Sequence, residues 1–206
     1  MGDAVEDRMR AAQLPEGDVI RILLEQHARI RELFADVKSA TGGHKRSAFD
    51  ELRALLAVHE TAEEMVLRPV SKGAAGEAVV DARNHEEHEA TELLKELEQM
   101  DPSSTEFDQN LAMLEKLVSQ HAENEESQEF PQVLAQCDAN LRKAMGTQLK
   151  GAEAIAPTHP HPSTAGQPAV VQMAVGPFIS LVDRARDALT GSRRCVHGAS
   201  PWRACL

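Results

Sequence analysis

The sequence predicts an all-α fold, an up-down-up-down four-helix bundle followed by an extra C-terminal helical segment and a disordered tail. Apolar residues recur at helical spacing in four long stretches between about positions 17 and 147. The connections between these stretches are short, which favours antiparallel neighbours. Aromatic residues make up only 3% of the chain, and Tyr is absent. This composition argues against a β-sandwich core.

The first two predicted helices each have one apolar face, as helices that pack in a bundle do. The first is expected from about Asp18, a candidate N-cap, to Ala40, and a pair of glycines follows it. The second is expected from about Lys45 to Arg68, because Pro69 should stop it.

The third and fourth predicted helices are separated by a short turn that contains a proline. The third is expected from about Glu77 to Met100. The fourth should begin near Ser103, which forms a candidate capping box with Glu106. Pro131 should kink or end this fourth helix, since proline lacks the N–H that a helix interior needs.

Changes in composition divide the chain into four segments. The bundle is assigned to residues 15–148, and its last part is a further helical piece at about residues 133–149. A linker rich in Pro and His should occupy residues 149–167. An amphipathic helical segment is expected over residues 168–190 and a disordered basic tail over residues 191–206.

Charge and hydropathy limit the partners that this chain can bind. It has 33 Asp and Glu against 22 Lys and Arg, a net charge of −11, which argues against nucleic acid or an anionic membrane. No apolar run approaches the ~18 residues of a membrane span, and the first residues do not resemble a signal peptide. We therefore expect a cytoplasmic protein with reduced cysteines. The sequence makes no prediction of an oligomeric state.

An internal repeat contains the candidate functional residues. Two copies of H-x-x-x-E-E begin at His59 and His121, and each has a proline ten residues after its histidine. Residues four apart share a helix face, so Glu63 and Glu125 lie beside these histidines on the apolar faces. A buried carboxylate without a partner is costly. The repeat therefore predicts a compensating cation, and a metal ion is the simplest one.

The other two predicted helices offer further candidate ligands. His27 lies on the apolar face of the first helix, so beside the repeat we interpret it as a ligand. In the third helix the apolar stripe predicts that Glu87 faces inward. A local rotation of that helix would bring His88 to the site instead, and we prefer His88. His85 is expected at the surface or behind the ligands.

The residue types indicate which metal the site would hold. The full candidate set is His27, His59, Glu63, Glu87, His88, His121 and Glu125. Imidazole and carboxylate without Cys suit non-haem iron or manganese better than structural zinc. Two carboxylates that can bridge predict two ions rather than one. The Glu-x-x-His motif of ferritin-like sites is absent.

The pattern H…H-x-x-x-E…H…H-x-x-x-E over the four predicted helices resembles the hemerythrin-like, HHE cation-binding family. The resemblance implies a four-helix bundle that holds a non-haem di-iron centre. It also implies that His27, His59 and His121 are terminal ligands and that Glu63 and Glu125 bridge the irons. In that family the third helix usually supplies a histidine, whereas Glu87 has the best inward position here.

The resemblance also implies a function. We expect two non-haem iron ions, with manganese as the second choice, and binding or handling of dioxygen, nitric oxide or peroxide as a sensor, store or scavenger. One alternative is a catalase-like enzyme that disproportionates peroxide, and another is an iron-responsive interaction module. A metal-free interaction module is a further alternative, but it would leave at least four buried polar groups unexplained.

Overall fold

The structure is a computed structural model that describes residues 3–160, and these residues form helices and no strand. The α-helices are α1 (Ala4–Ala11), α2 (Val19–Ser39), α3 (Gly42–Ala74), α4 (Glu77–Glu98), α5 (Thr105–Asn124), α6 (Phe130–Gln136) and α7 (Ala139–Ile155). A π-helical segment, Glu125–Glu129, joins α5 to α6. The all-α helical bundle is confirmed. None of these helices is long and apolar enough to cross a membrane.

The second predicted helix is longer than the pattern indicates. α3 continues past Pro69, which lies inside it, so the prediction that this proline stops the helix is wrong. The missing N–H removes one backbone hydrogen bond. Burial of the residues on both sides compensates for this loss, because Leu67 and Ser71 are completely buried. Tertiary packing here outweighs a local helix-breaking signal.

The fourth predicted helix starts one residue later than expected. Its N-cap is Ser104, whose hydroxyl accepts a hydrogen bond of 3.1 Å from the N–H of Phe107. Ser103 instead donates its hydroxyl to the carboxylate of Asp101 at 2.8 Å. The candidate capping box of Ser103 is therefore wrong, because the aspartate before it competes for the same side chain.

The helix that contains the second copy of the repeat changes its winding before Pro131. The N–H of Phe130 bonds to the carbonyl of Glu125, five residues back, as in a π-helix. A proline cannot donate to the carbonyl four residues before it, so the wider turn occurs where that bond is missing. The kink that the sequence predicts at Pro131 is thus a short π-helical segment. As a result Glu125, Glu126 and Glu129 are all buried.

Both ends of the bundle differ from the predicted segments. α1 lies before the predicted bundle, and the pattern did not indicate it. α7 begins after the N-cap Asp138 and extends to Ile155, so its last turns lie in the range assigned to the linker. The expected helical segment at residues 168–190 and the basic tail at residues 191–206 lie outside the described part of the chain.

Two apolar clusters form the core, and a band of buried polar residues separates them. On α2, the buried apolar residues from Val19 to Leu24 belong to the first cluster and those from Ile30 to Val37 belong to the second, with His27 between them. On α3, the second cluster ends at Leu56 and the first resumes at Ala62, with His59 between them. The polar band is therefore enclosed by apolar side chains on both sides.

α7 packs closely on the loop between α1 and α2 at Gly146. A Cβ atom on Gly146 would lie 2.1 Å from the carbonyl oxygen of Gly17, whose φ of +83° favours glycine. We expect Gly146→Ala to lower the free energy of unfolding by about 1–3 kcal/mol, as overpacking does. In the same helix nothing lies within 4 Å of a Cβ on Gly151. Gly151→Ala should raise the stability by up to about 1 kcal/mol.

Urea denaturation of the two variants measures both effects. The two changes in the free energy of unfolding should have opposite signs, although both substitutions add the same methyl group to the same helix. Equal stability of the two variants would contradict the close packing of α7 on the loop.

Candidate metal centre

Six of the seven candidate ligands lie together in the polar band. They are His27 from α2, His59 and Glu63 from α3, Glu87 from α4, His121 from α5 and Glu125 from the π-helical segment. Each of these residues is at most 3% exposed. Their ligand atoms form two groups of four, and within each group these atoms lie within 4.8 Å of one another.

The two groups share both carboxylates of the repeat. His27 and His59 belong to one group, which we call the His27–His59 half. His121 and Glu87 belong to the other, which we call the His121–Glu87 half. Glu63 and Glu125 occur in both halves. A pair of shared carboxylates between two sets of terminal donors is the arrangement that can hold two metal ions side by side.

In the third predicted helix the structure places Glu87, and not His88, among the gathered candidate ligands. Glu87 is 1% exposed and belongs to the His121–Glu87 half, whereas His88 is exposed and joins neither group. Successive residues of an α-helix are about 100° apart around its axis, so His88 points away from the direction in which Glu87 faces. α4 shows no local rotation that would reverse this, so we correct the preference for His88. His85 is also exposed and pairs with Glu89.

The three imidazoles of the centre direct their Nε2 atoms at the shared carboxylates. Nε2 of His27 lies 3.3 Å from Oε2 of Glu125, and Nε2 of His121 lies 3.2 Å from Oε1 of the same carboxylate. Nε2 of His59 lies 3.6 Å from Oε2 of Glu63. Glu125 thus presents one oxygen to each half.

The opposite nitrogen of each imidazole has its own acceptor. The pairs are His27 with Glu126 (2.8 Å), His59 with Gln26 (2.7 Å) and His121 with Glu86 (3.1 Å), each measured from Nδ1 to a side-chain oxygen. An imidazole that donates from Nδ1 keeps a lone pair on Nε2 for a cation. These partners therefore orient the rings and set the tautomer, as partners of metal-bound histidines do. None of these three partners was predicted from the sequence, although each is adjacent in the chain to a candidate ligand.

Several candidate ligand atoms are buried without a hydrogen-bond partner among the described residues. They are Nε2 of His27 and His121, both carboxylate oxygens of Glu63, and Oε2 of Glu87 and Glu125. Buried polar atoms without a partner are costly, and here they converge on one place. Their chemistry, imidazole nitrogen and carboxylate oxygen, is that of first-row metal ligands. The residues present therefore fit a metal centre.

The surroundings shift the pKa values of the two shared carboxyl groups in opposite directions. Burial and the charge of Glu125 raise the pKa of Glu63 well above its usual value. Burial acts the same way on Glu125, but His121 and Arg68 outweigh it, so the pKa of Glu125 lies well below its usual value. Burial lowers the pKa of His59, which keeps this imidazole neutral, as metal coordination requires.

A buried arginine that the sequence analysis did not single out lies in the same cluster. Nη2 of Arg68 contacts Oε1 of Glu87 and lies 2.6 Å from Oε1 of Glu125 and 3.6 Å from Oε2 of Glu63. Nη1 bonds to both oxygens of Glu129 at 2.8 and 2.9 Å. The second helix was predicted to end at this residue, whereas α3 continues to Ala74 and keeps the Arg68 side chain buried.

A small pocket lies against the centre between α2, α3 and α5. The imidazoles of His27, His59 and His121 line one side, and apolar side chains of α2 and α5 line much of the rest. Glu60 also lines the pocket, and its Oε2 is buried without a hydrogen-bond partner among the described residues. Burial, with the charge of Glu87, raises the pKa of Glu60 to about 8. The pocket thus suits a small molecule that accepts or donates hydrogen bonds.

Comparisons with known proteins agree with this geometry. A family model described as the hemerythrin HHE cation-binding domain matches residues 18–133, a range that contains all six gathered candidate ligands. A DNA nickase of Nostoc sp. (strain PCC 7120) is 26% identical over 154 residues, which are 74% of this chain. The match spans 43% of that relative's length, less than half of it. No solved structure matches the chain significantly.

Proposed function

Because the chain belongs to the hemerythrin HHE cation-binding family, we propose that it is a non-haem di-iron protein that binds or handles dioxygen, nitric oxide or peroxide. The observation that most supports this proposal is the pair of buried ligand groups that share Glu63 and Glu125. Carboxylates and imidazoles without thiolates favour iron over structural zinc. Manganese suits the same donor set and is the second choice.

The side chains around the centre would hold and enclose the iron. One ion would lie in the His27–His59 half and the other in the His121–Glu87 half. When bound, iron supplies one-electron redox chemistry and an open coordination position for a small ligand. The protein orients the imidazoles through their Nδ1 partners, and the two apolar clusters keep bulk water away. The pocket beside the three imidazoles favours small ligands over bulky ones.

Anaerobic loading with Fe(II) followed by exposure to air tests this proposal. We expect about two iron ions per chain, as in other di-iron bundles. After exposure to air we expect the near-ultraviolet and visible absorption of a ferric pair. Purified protein that takes up only traces of iron under these conditions would refute the proposal.

Peroxide disproportionation is the second candidate function. The chain has no Tyr and one Trp, Trp202, so few aromatic side chains near the site would be oxidised by peroxide. Oxygen evolution from added peroxide that is lost in His59→Ala would favour the enzyme. Reversible oxygenation without turnover would favour a carrier or sensor.

The iron-responsive interaction module is tested by stability. If the iron-loaded protein is no more stable than the metal-free protein, this alternative is contradicted.

DNA is not the substrate that we propose, although the matched relative from Nostoc is a nickase. This chain has a net charge of −11, which opposes binding to the phosphate backbone. We expect iron-loaded protein to leave supercoiled plasmid intact. Conversion to the open circle that is lost in His59→Ala would overturn this expectation.

Gln26 should affect iron binding through the orientation of His59. Its Oε1 accepts from Nδ1 of His59 at 2.7 Å, and its Nε2 donates to Glu153 of α7 at 2.5 Å. Gln26→Leu removes the acceptor, so we expect the affinity for iron to fall about 10–100-fold. Competition with a chelator measures this change. The control is Gln120→Leu, at an exposed position of α5. Equal affinities in the two variants would show that Gln26 does not position His59.

A further inference from the structure

The guanidinium of Arg68 lies on the side of the centre that contains His121 and Glu87, and its Nη2 is also 3.6 Å from Oε2 of the shared Glu63. Its Nη2 contacts Glu87 and Oε1 of Glu125, the oxygen that faces His121. Oε2 of Glu125 faces His27 and has no hydrogen-bond partner among the described residues. The His121–Glu87 half therefore already contains a cation that contacts two of its carboxylates, although both halves have buried ligand atoms without hydrogen-bond partners among the described residues.

The two copies of the repeat differ at the position that causes this asymmetry. Arg68 and Phe130 both lie nine residues after the histidine of their copy and directly before its proline. The ring of Phe130 stacks on His27 with centroids 5.7 Å apart and an interplanar angle of 15°. The same position thus provides an apolar cover in the His27–His59 half and a buried cation in the His121–Glu87 half.

A separate carboxylate anchors the guanidinium. Nη1 of Arg68 bonds to both oxygens of Glu129, which is completely buried and belongs to neither ligand group. The contacts of Nη2 with Glu87 and Glu125 can therefore break while Arg68 keeps a buried ion pair. A metal ion in this half would take over those two carboxylates. It would also lie close to a like charge in a low-dielectric interior, which weakens its binding.

We propose that Arg68 is an internal counter-cation that competes with metal for the His121–Glu87 half. Metal ions then bind in a fixed order. The first occupies the His27–His59 half while Arg68 stays in place. The second binds more weakly, because it must displace Nη2 of Arg68 from Glu87 and Glu125. This inference rests on the proposed function, since it concerns the same two-metal site.

Anaerobic titration of metal-free protein with Fe(II), with bound ions counted by native mass spectrometry, tests the order of binding. We expect two binding steps in the wild type, and the affinity of the second should be at least about tenfold lower than that of the first. Tenfold is the low end of the effects that residues in contact with metal ligands have on metal affinity. His59→Ala should remove the tight step, whereas His121→Ala should remove only the weak one. Steps of equal affinity, or the reverse pattern of losses, would overturn the proposal.

Substitution of the arginine gives a second test. In Arg68→Gln we expect the second step to tighten about 10–100-fold. The thermal midpoint of the metal-free variant should fall and should recover once iron is added. Arg53→Gln is the matched control, because Arg53 is also a buried arginine of α3 but pairs with Glu98 outside the centre. It should leave both steps unchanged. A second step of unchanged affinity in Arg68→Gln would refute the competition.

These outcomes separate the inference from the proposed function. A wild type that binds no iron refutes both. Two ions that bind in equal steps support the di-iron proposal and refute the role of Arg68. One ion in the wild type at every concentration, with two in Arg68→Gln, supports the competition and shows that the wild type is not a di-iron protein. If Arg68→Gln does not fold, the two histidine variants still decide the order of binding.

Discussion

Glu63→Gln will abolish iron binding in both halves of the centre, from about two ions per chain to nearly none. Glu63 belongs to both ligand groups, and both of its oxygens are buried without hydrogen-bond partners among the described residues. A neutral amide is a poor ligand for iron and does not bridge two ions as a carboxylate does. One substitution should therefore remove ligands from both halves at once.

The metal-free fold should tolerate this substitution. Burial raises the pKa of Glu63 well above its usual value, so a neutral side chain of nearly the same size suits the position. Metal analysis after anaerobic loading measures the loss, and circular dichroism checks the fold. Glu64→Gln is the matched control, since Glu64 is the adjacent residue of α3 and belongs to neither group. One ion retained by Glu63→Gln would show that Glu63 serves only one half.

Arg68→Gln will lower the free energy of unfolding of the metal-free protein by about 3–5 kcal/mol, the cost of removing one partner of a buried ion pair. Arg68 is 5% exposed and contacts the buried carboxylates of Glu87, Glu125 and Glu129. Without the guanidinium these carboxylates lose a buried counter-charge, so they must stay charged with less compensation or take up protons. Urea denaturation in the presence of a chelator measures the difference.

An exposed arginine provides the control for this second prediction. Arg8 pairs with Glu32 at 2.7 Å, but both side chains are more than a third exposed. Arg8→Gln should cost less than about 1 kcal/mol, as surface ion pairs do. The double variant Arg68→Gln, Glu87→Gln should recover part of the lost stability, because it removes one of the unpaired carboxylates. A stability of Arg68→Gln close to that of Arg8→Gln would mean that Arg68 is not the main counter-charge.

The sequence could predict much of the candidate site because helical spacing places residues on a known face. Histidine and glutamate four residues apart share that face, and the apolar stripe shows that it points inward. This reasoning brings together His59, Glu63, His121 and Glu125, and the stripe of the first helix adds His27. In the third helix the same stripe indicates Glu87, which the structure places in the centre in preference to His88.

Other features depend on residues that are far apart in the chain. The Nδ1 partner of each histidine comes from another helical segment. That of His59 is Gln26 on α2, 33 residues earlier in the chain. The sequence predicts that the second helix ends at Arg68, before Pro69, but packing of the residues around that proline extends α3 and keeps the arginine buried. The π-helical segment similarly buries Glu126 and Glu129 beside Glu125. No pattern among residues close together in the sequence predicts these contacts.

The sequence by itself determined the helical bundle and the inward direction of the repeated His and Glu pairs. Both follow from periodicity along one helix, which depends only on nearby residues. Only the tertiary structure decided which charges balance one another. It pairs Arg68 with Glu87 and Glu125 of the centre and with Glu129 outside both ligand groups, and it leaves ligand atoms of both halves without hydrogen-bond partners among the described residues. Electrostatic balance in a buried site depends on groups from several helices at contact distance, and their arrangement exists only once the helices have packed.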